Sequence, residues 1–105
     1  MADAKYALEF LPQFEEDMRE AVDYIRLTLR NPMAAAKLVD DAFDAIYGRL
    51  DAPTAFEPYP SKLDRTHPYY RIPVGNFIVL YVVIGRTMEV RRFIYSRRNW
   101  QAWTM

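Results

Sequence analysis

The chain has no cysteine, only three glycines and a single histidine, and its longest apolar run is the eight residues from Phe77 to Ile84. Each shortage closes off a class of protein. Without thiols there is neither a disulfide scaffold nor a cysteine-ligated zinc site. One histidine, with no partner at ligand spacing, predicts no metal, and no motif calls for a cofactor. Eight apolar residues fall far short of the roughly 20 that a membrane-spanning helix needs, so a soluble protein is expected. The N-terminal Met-Ala-Asp-Ala-Lys lacks the basic region and apolar stretch of a secretory signal, which fits a cytoplasmic location.

The 105 residues are 51% apolar and 15% aromatic. That is enough to bury one two-layer core, so we expect a single domain over residues 1–105 and exclude a disordered or multi-domain chain. Net charge is zero, but its distribution is uneven. Residues 1–60 hold 12 acids against 6 bases, and residues 61–105 hold 2 acids against 8 bases. The second segment therefore carries an excess of +6, from Lys62, Arg65, Arg71, Arg86, Arg91, Arg92, Arg97 and Arg98. Seven of these eight are arginine, the side chain that forks onto phosphate and carboxylate and stacks on bases. An anionic partner is the expectation.

Tyr6, Leu8 and Phe10 alternate with other residues as in a short strand, which Pro12 ends. Phe14, Met18, Ala21, Val22, Ile25 and Leu29 then follow helical spacing, with Glu15, Glu16, Asp17, Arg19, Glu20 and Asp23 off the stripe. Asn31-Pro32 reads as an N-cap before a first-turn proline, closing one helix and opening the next. Ala35, Leu38, Val39, Ala42, Phe43, Ile46 and Leu50 form the second apolar stripe. Residues 51–68 hold Pro53, Pro58, Pro60 and Pro68 without periodicity and predict an ordered loop. Strands are expected over about Tyr69–Val74, Phe77–Ile84 and Met88–Tyr95, separated by Gly75-Asn76 and Gly85-Arg86-Thr87 at hairpin lengths and hence antiparallel. The middle strand is apolar at every position, so it is covered on both faces or lies at the sheet centre. The resulting architecture is α+β, in the order β-α-α-β-β-β. A helical hairpin packs on one face of a small, mainly antiparallel sheet, with the basic residues on the far face and edge.

Three stretches carry a resemblance. Tyr70-Arg71-Ile72-Pro73-Val74-Gly75-Asn76-Phe77-Ile78-Val79-Leu80-Tyr81, followed by Arg92-Phe93-Ile94-Tyr95-Ser96-Arg97-Arg98-Asn99-Trp100, resembles the C-terminal half of the RelE/ParE superfamily. The helix opening Asn31-Pro32-Met33-Ala34-Ala35-Ala36 is similar to the same group. These are the toxins of type II toxin-antitoxin pairs, and the order of elements is that of their fold. The resemblance implies one of two activities. RelE-like members cut mRNA on the ribosome, whereas ParE-like members inhibit DNA gyrase. It also implies a co-encoded antitoxin with an acidic, amphipathic C-terminal segment that orders on binding. Our expectation from the sequence is a metal-independent, ribosome-dependent mRNA interferase, with ParE-like gyrase inhibition without catalytic chemistry as the alternative.

On the first reading the resemblance assigns Arg71 to phosphate binding, Arg98 to stabilising transition-state charge and Tyr95 to proton donation. His67 titrates near neutrality and is a candidate acid or base if its loop reaches the arginines; a solvated loop histidine is the competing reading. Lys62, Arg65, Arg91 and Arg97 are candidates for holding the anionic partner. Tyr69, Tyr70 and Trp103 are candidates for stacking on bases. Trp100 is expected to cap the core. One departure weakens the nuclease reading: Asn76-Phe77-Ile78 places isoleucine where strongly nucleolytic relatives often carry a central-strand arginine. Alternation puts Arg91, Phe93 and Tyr95 on one face, and Arg92 on the other with Val90 and Ile94. Arg92 is expected to be structural, paired with an acid of the helical hairpin or lying along it.

Overall fold

The computed structural model describes residues 6–58 and 67–96. The elements run β1 (Ala7–Phe10), α1 (Pro12–Asp23), a π-helical turn (Tyr24–Thr28), α2 (Pro32–Tyr47), β2 (Tyr70–Val74), β3 (Phe77–Ile84) and β4 (Thr87–Tyr95). The sheet order is β1-β4-β3-β2, with β1 parallel to β4 and the other pairs antiparallel. This is the α+β arrangement expected, and the all-apolar β3 is an interior strand.

Local chemistry explains the boundaries. Pro12 and Pro32 each occupy the first turn of a helix, where the missing N–H costs nothing. Asn31 accepts the backbone N–H of Ala34 at 3.0 Å, as an N-cap should. Val74 pairs with Phe77 and Ile84 with Thr87, so both hairpins turn on two residues. Gly75 (φ 56°) and Gly85 (φ 61°) take the first central position of those turns. A positive φ there matches the twist of the flanking strands, and glycine adopts it without a Cβ penalty. Strand β4 therefore begins at Thr87, one residue earlier than the alternation suggests.

Both helices cover one sheet face. Phe14, Met18, Ala21, Ala42, Ile46 and Leu50 meet Tyr70, Ile72, Val74, Val79, Tyr81, Met88, Val90 and Phe93. Aromatic rings bind the layers: Phe10 stacks on Phe14 at 5.3 Å, and Phe14 meets Phe93 edge-on at 6.0 Å. Ile78, Leu80 and Ile94 form a smaller buried cluster on the opposite face, with Tyr69 against it. The first part of the proline-rich loop is anchored through Tyr81. Its phenol donates to the Pro53 carbonyl at 2.7 Å and accepts from Arg49 at 3.0 Å, while the Arg49 guanidinium lies 3.6 Å from the Phe56 ring centroid.

Two expectations are corrected here. The period-2 reading of β4 fails because the β3–β4 register shifts between Leu80 and Tyr81, which pair with Arg92 and Val90 respectively. Arg91 is the extra residue of a β-bulge. Beyond it the faces exchange: Val90 and Phe93 both enter the helix-facing core, while Ile94 lies with Leu80 on the other face. The apolar stripe of the first helix also ends sooner than its spacing predicts. The π turn adds a residue to the helical repeat, and Leu29 is left 55% exposed instead of joining the core. Met33, in the first turn of α2, is 83% exposed.

Candidate functional site

Strand β1 pairs with β4 only as far as Val90, where the chain turns away into α1. A side chain takes over the missing strand's role. Asp17, on α1 and only 8% exposed, accepts the backbone N–H of Phe93 at 3.0 Å. The same carboxylate accepts from Arg92 Nε at 2.7 Å and Nη2 at 3.2 Å, and from Gln13 at 2.9 Å. A buried carboxylate is tolerable only with such company. Arg92 is thus paired with an acid of the helical hairpin, as expected, and Asp17 is the acid. Sequence reasoning placed Asp17 among the solvated charges of its helix. The available signal was Arg92 between apolar neighbours in β4, which calls for an acid but does not say which one.

Past this contact an open groove of about 570 Å³ lies between α1 with its π-helical turn and the end of the sheet. Its sheet side is aromatic: Phe77 stacks on Phe93 at 4.8 Å and meets Tyr95 edge-on at 5.6 Å. Its helical side presents Asp17, Glu20, Ala21, Tyr24, Ile25 and Leu29. Tyr24, Leu29 and Tyr95 are 55%, 55% and 42% exposed. Its described lining is mainly apolar, with Asp17 and Glu20 as its acids.

The candidate site residues are distributed as follows. Arg71 is exposed on β2 and pairs across the sheet with Leu80, so it leaves the face away from the helices. Tyr95 pairs with Phe77 and leaves the helix-facing side, into the groove. These two are not brought together. His67 is exposed in the segment before β2. Tyr70 is 7% exposed and stacks on Tyr81 at 5.2 Å, so the core already occupies the face on which a base would stack. Arg91 donates to Glu89 at 2.7 Å and to the Tyr69 hydroxyl at 3.3 Å. Burial alone would lower its pKa, but the bonds to Tyr69 and Glu89 outweigh that and raise it. Arg91 and Tyr69 are therefore committed to each other in this structure. Among the described residues no three His, Cys, Asp or Glu side chains gather as metal ligands would. Lys62, Arg65, Arg97, Arg98, Trp100 and Trp103 lie outside the described residues.

The described residues thus form an α+β scaffold of two helices on a four-stranded sheet, with an open groove at the end of the sheet. Over residues 8–100 the sequence matches the model for the "ParE toxin of type II toxin-antitoxin system, parDE". The chain belongs to that family, within the RelE/ParE superfamily of type II toxins. A solved structure, the "Chromosomal ParDE TA system from P. aeruginosa", is similar in fold at 17% identity and a TM-score of 0.69, covering 89% of this chain and 98% of that one. No curated protein matches. Among the described residues no helix is long and apolar enough to cross a membrane.

Proposed function

We propose that this chain is a single-domain, cytoplasmic toxin that arrests growth by inhibiting DNA gyrase, using binding and no catalytic chemistry of its own, and that a co-encoded antitoxin neutralises it. The observation that favours this reading over ribosome-dependent mRNA cleavage is the separation of Arg71 and Tyr95 on opposite sheet faces. General acid–base chemistry requires its groups within hydrogen-bond reach of one phosphate. Ile78, buried on the face Arg71 leaves, adds no charge there. Membership of the ParE family points the same way. On this reading Arg97, Arg98 and Trp103 supply contacts to the target, together with Lys62 and Arg65, while His67 has no chemical role.

Two assays on the purified protein test the reading. Gyrase-catalysed supercoiling should be inhibited at protein concentrations that leave message intact in a cell-free translation reaction. Message cut only when ribosomes are present, with supercoiling untouched, would reverse the assignment and restore Arg71, Tyr95 and Arg98 as candidates for catalysis. Arg98→Ala should abolish growth arrest while leaving the circular dichroism spectrum unchanged.

A further inference from the structure

The closed end of the helical hairpin exposes large apolar side chains outside the groove. Leu27, in the π-helical turn, and Met33, in the first turn of α2, are 61% and 83% exposed, and neither lines the groove. They flank the joint between the helices, and the π turn packs against α2, so both lie at the same end of the hairpin. Scattered singly, such residues are ordinary; gathered at one protruding turn, they mark a contact surface. The charge of this turn is one-sided. Between Asp23 and Asp40 the chain has no acid, and its bases there are Arg26, Arg30 and Lys37. Arg26 is bonded to Asp23 and Lys37 to Asp41, whereas the exposed Arg30 pairs with no acid among the described residues. The body of the hairpin is acidic, with Glu15, Glu16, Asp17, Glu20 and Asp23 before the joint and Asp40, Asp41 and Asp44 after it. Arg30 also stands where the backbone favours another residue. Its φ is 55°, and the Asn31 N–H closes the helix end on the Ile25 carbonyl at 3.0 Å. Glycine is the usual occupant of such a left-handed helix end, because it has no Cβ to crowd the carbonyl. The arginine and the π turn before it both cost stability, and irregularities of this kind persist where a surface is used.

From these features we infer that the hairpin tip, through Leu27, Arg30 and Met33, is a surface that enters gyrase, seating the two apolar side chains in a recess whose rim offers an acid to Arg30. The inference rests on the gyrase reading above and deepens it, adding a contact among the described residues to the basic side chains already assigned to the target. A convex turn suits a cleft in a folded protein, whereas an extended peptide needs a groove to lie in, which the tip does not offer. Charge complementarity fixes the sign of the rim, and the side chains that become buried carry the affinity.

Inhibition of plasmid supercoiling by purified gyrase, measured for the full-length protein and its variants, tests this, alongside calorimetric titration with the co-encoded antitoxin. Leu27→Glu and Met33→Glu, both at exposed positions, should each raise the concentration for half-inhibition about tenfold or more, and Arg30→Gly about threefold or more. Antitoxin affinity should stay within about twofold of the parent in all three. Arg30→Gly removes the guanidinium while relieving the backbone, so weaker inhibition at an unchanged or higher Tm separates contact from folding. Leu27→Ala and Met33→Ala give a second reading of the apolar contact should a glutamate variant fold poorly. Inhibition within about twofold of the parent in every variant overturns the proposal and leaves the gyrase reading standing. Antitoxin affinity that falls as far as inhibition gives the tip to the antitoxin and overturns the proposal. A dimer of the protein alone that Leu27→Glu dissociates, with inhibition unchanged, gives the tip to a second copy and overturns it too. A parent protein that leaves supercoiling untouched fails the gyrase reading itself, and the proposal with it.

Discussion

At the scale of the residue, Asp17 and Tyr81 hold what the backbone leaves unsettled. Asp17 serves Arg92 and the Phe93 N–H together. Removing it takes away the carboxylate that Arg92 bonds and the acceptor of the Phe93 N–H at once. Asp17→Ala should cost about 3 kcal/mol in urea denaturation, and Asp17→Asn less, since the amide oxygen still accepts. A double-mutant cycle with Arg92→Ala should show strong coupling, because the two side chains bond each other directly. Tyr81 is fully buried, and burial pushes its phenol above the usual range against the opposing pull of Arg49. The folded state therefore keeps this proton while the unfolded chain gives it up. Its stabilising effect is complete below the ordinary phenol pKa and is lost as pH rises through the raised one. In an ultraviolet titration Tyr81 should ionise later than an ordinary tyrosine, and Tyr81→Phe should remove that late step. The same variant should cost about 1–2 kcal/mol, as the Pro53 carbonyl and Arg49 lose their partner.

At the scale of the element, the joint between the two helices is the least regular part of the fold and the most informative. Asn31 and Pro32 start α2 efficiently, but Arg30 before them sits in the left-handed region. Glycine would hold that conformation without the Cβ penalty, so Arg30→Gly should raise stability by about 0.5 kcal/mol, visible as a rise of a few degrees in Tm. A fall would show that the arginine side chain contributes more than its backbone costs. Asn31→Ala should lower stability by about 1 kcal/mol through loss of the Ala34 cap. The bulge at Arg91 works in the opposite direction from ordinary alternation. It turns Phe93 into the core and Tyr95 into the groove, while Arg92 is left to reach Asp17 across the edge. Strand positions and turn glycines were legible from period and residue type. The bulge and the π turn were not, because each inserts one residue against a pattern that remains apolar on both sides of the insertion.

At the scale of the whole molecule, charge is unevenly divided along the chain. The acids of the first half and the arginines of the second polarise the chain, and charge separated in this way speeds and orients encounters. Raising salt should therefore slow association with the antitoxin several-fold while changing its dissociation rate much less, as surface-plasmon kinetics would show. The sequence by itself determined the order of elements, the N-cap and the central strand. These follow from spacing, capping chemistry and hydrophobicity, all of which act between residues close in the chain. It also gave Arg92 a structural role, paired with an acid of the helical hairpin or lying along it. Only the tertiary structure decided that Asp17 is that acid, that Arg71 and Tyr95 part to opposite faces, that Arg91 is bonded to Glu89 and Tyr69, and that an acid-edged groove opens where β1 stops. These depend on register and on which distant side chains meet, and a shift of one residue in β4 is enough to exchange its faces.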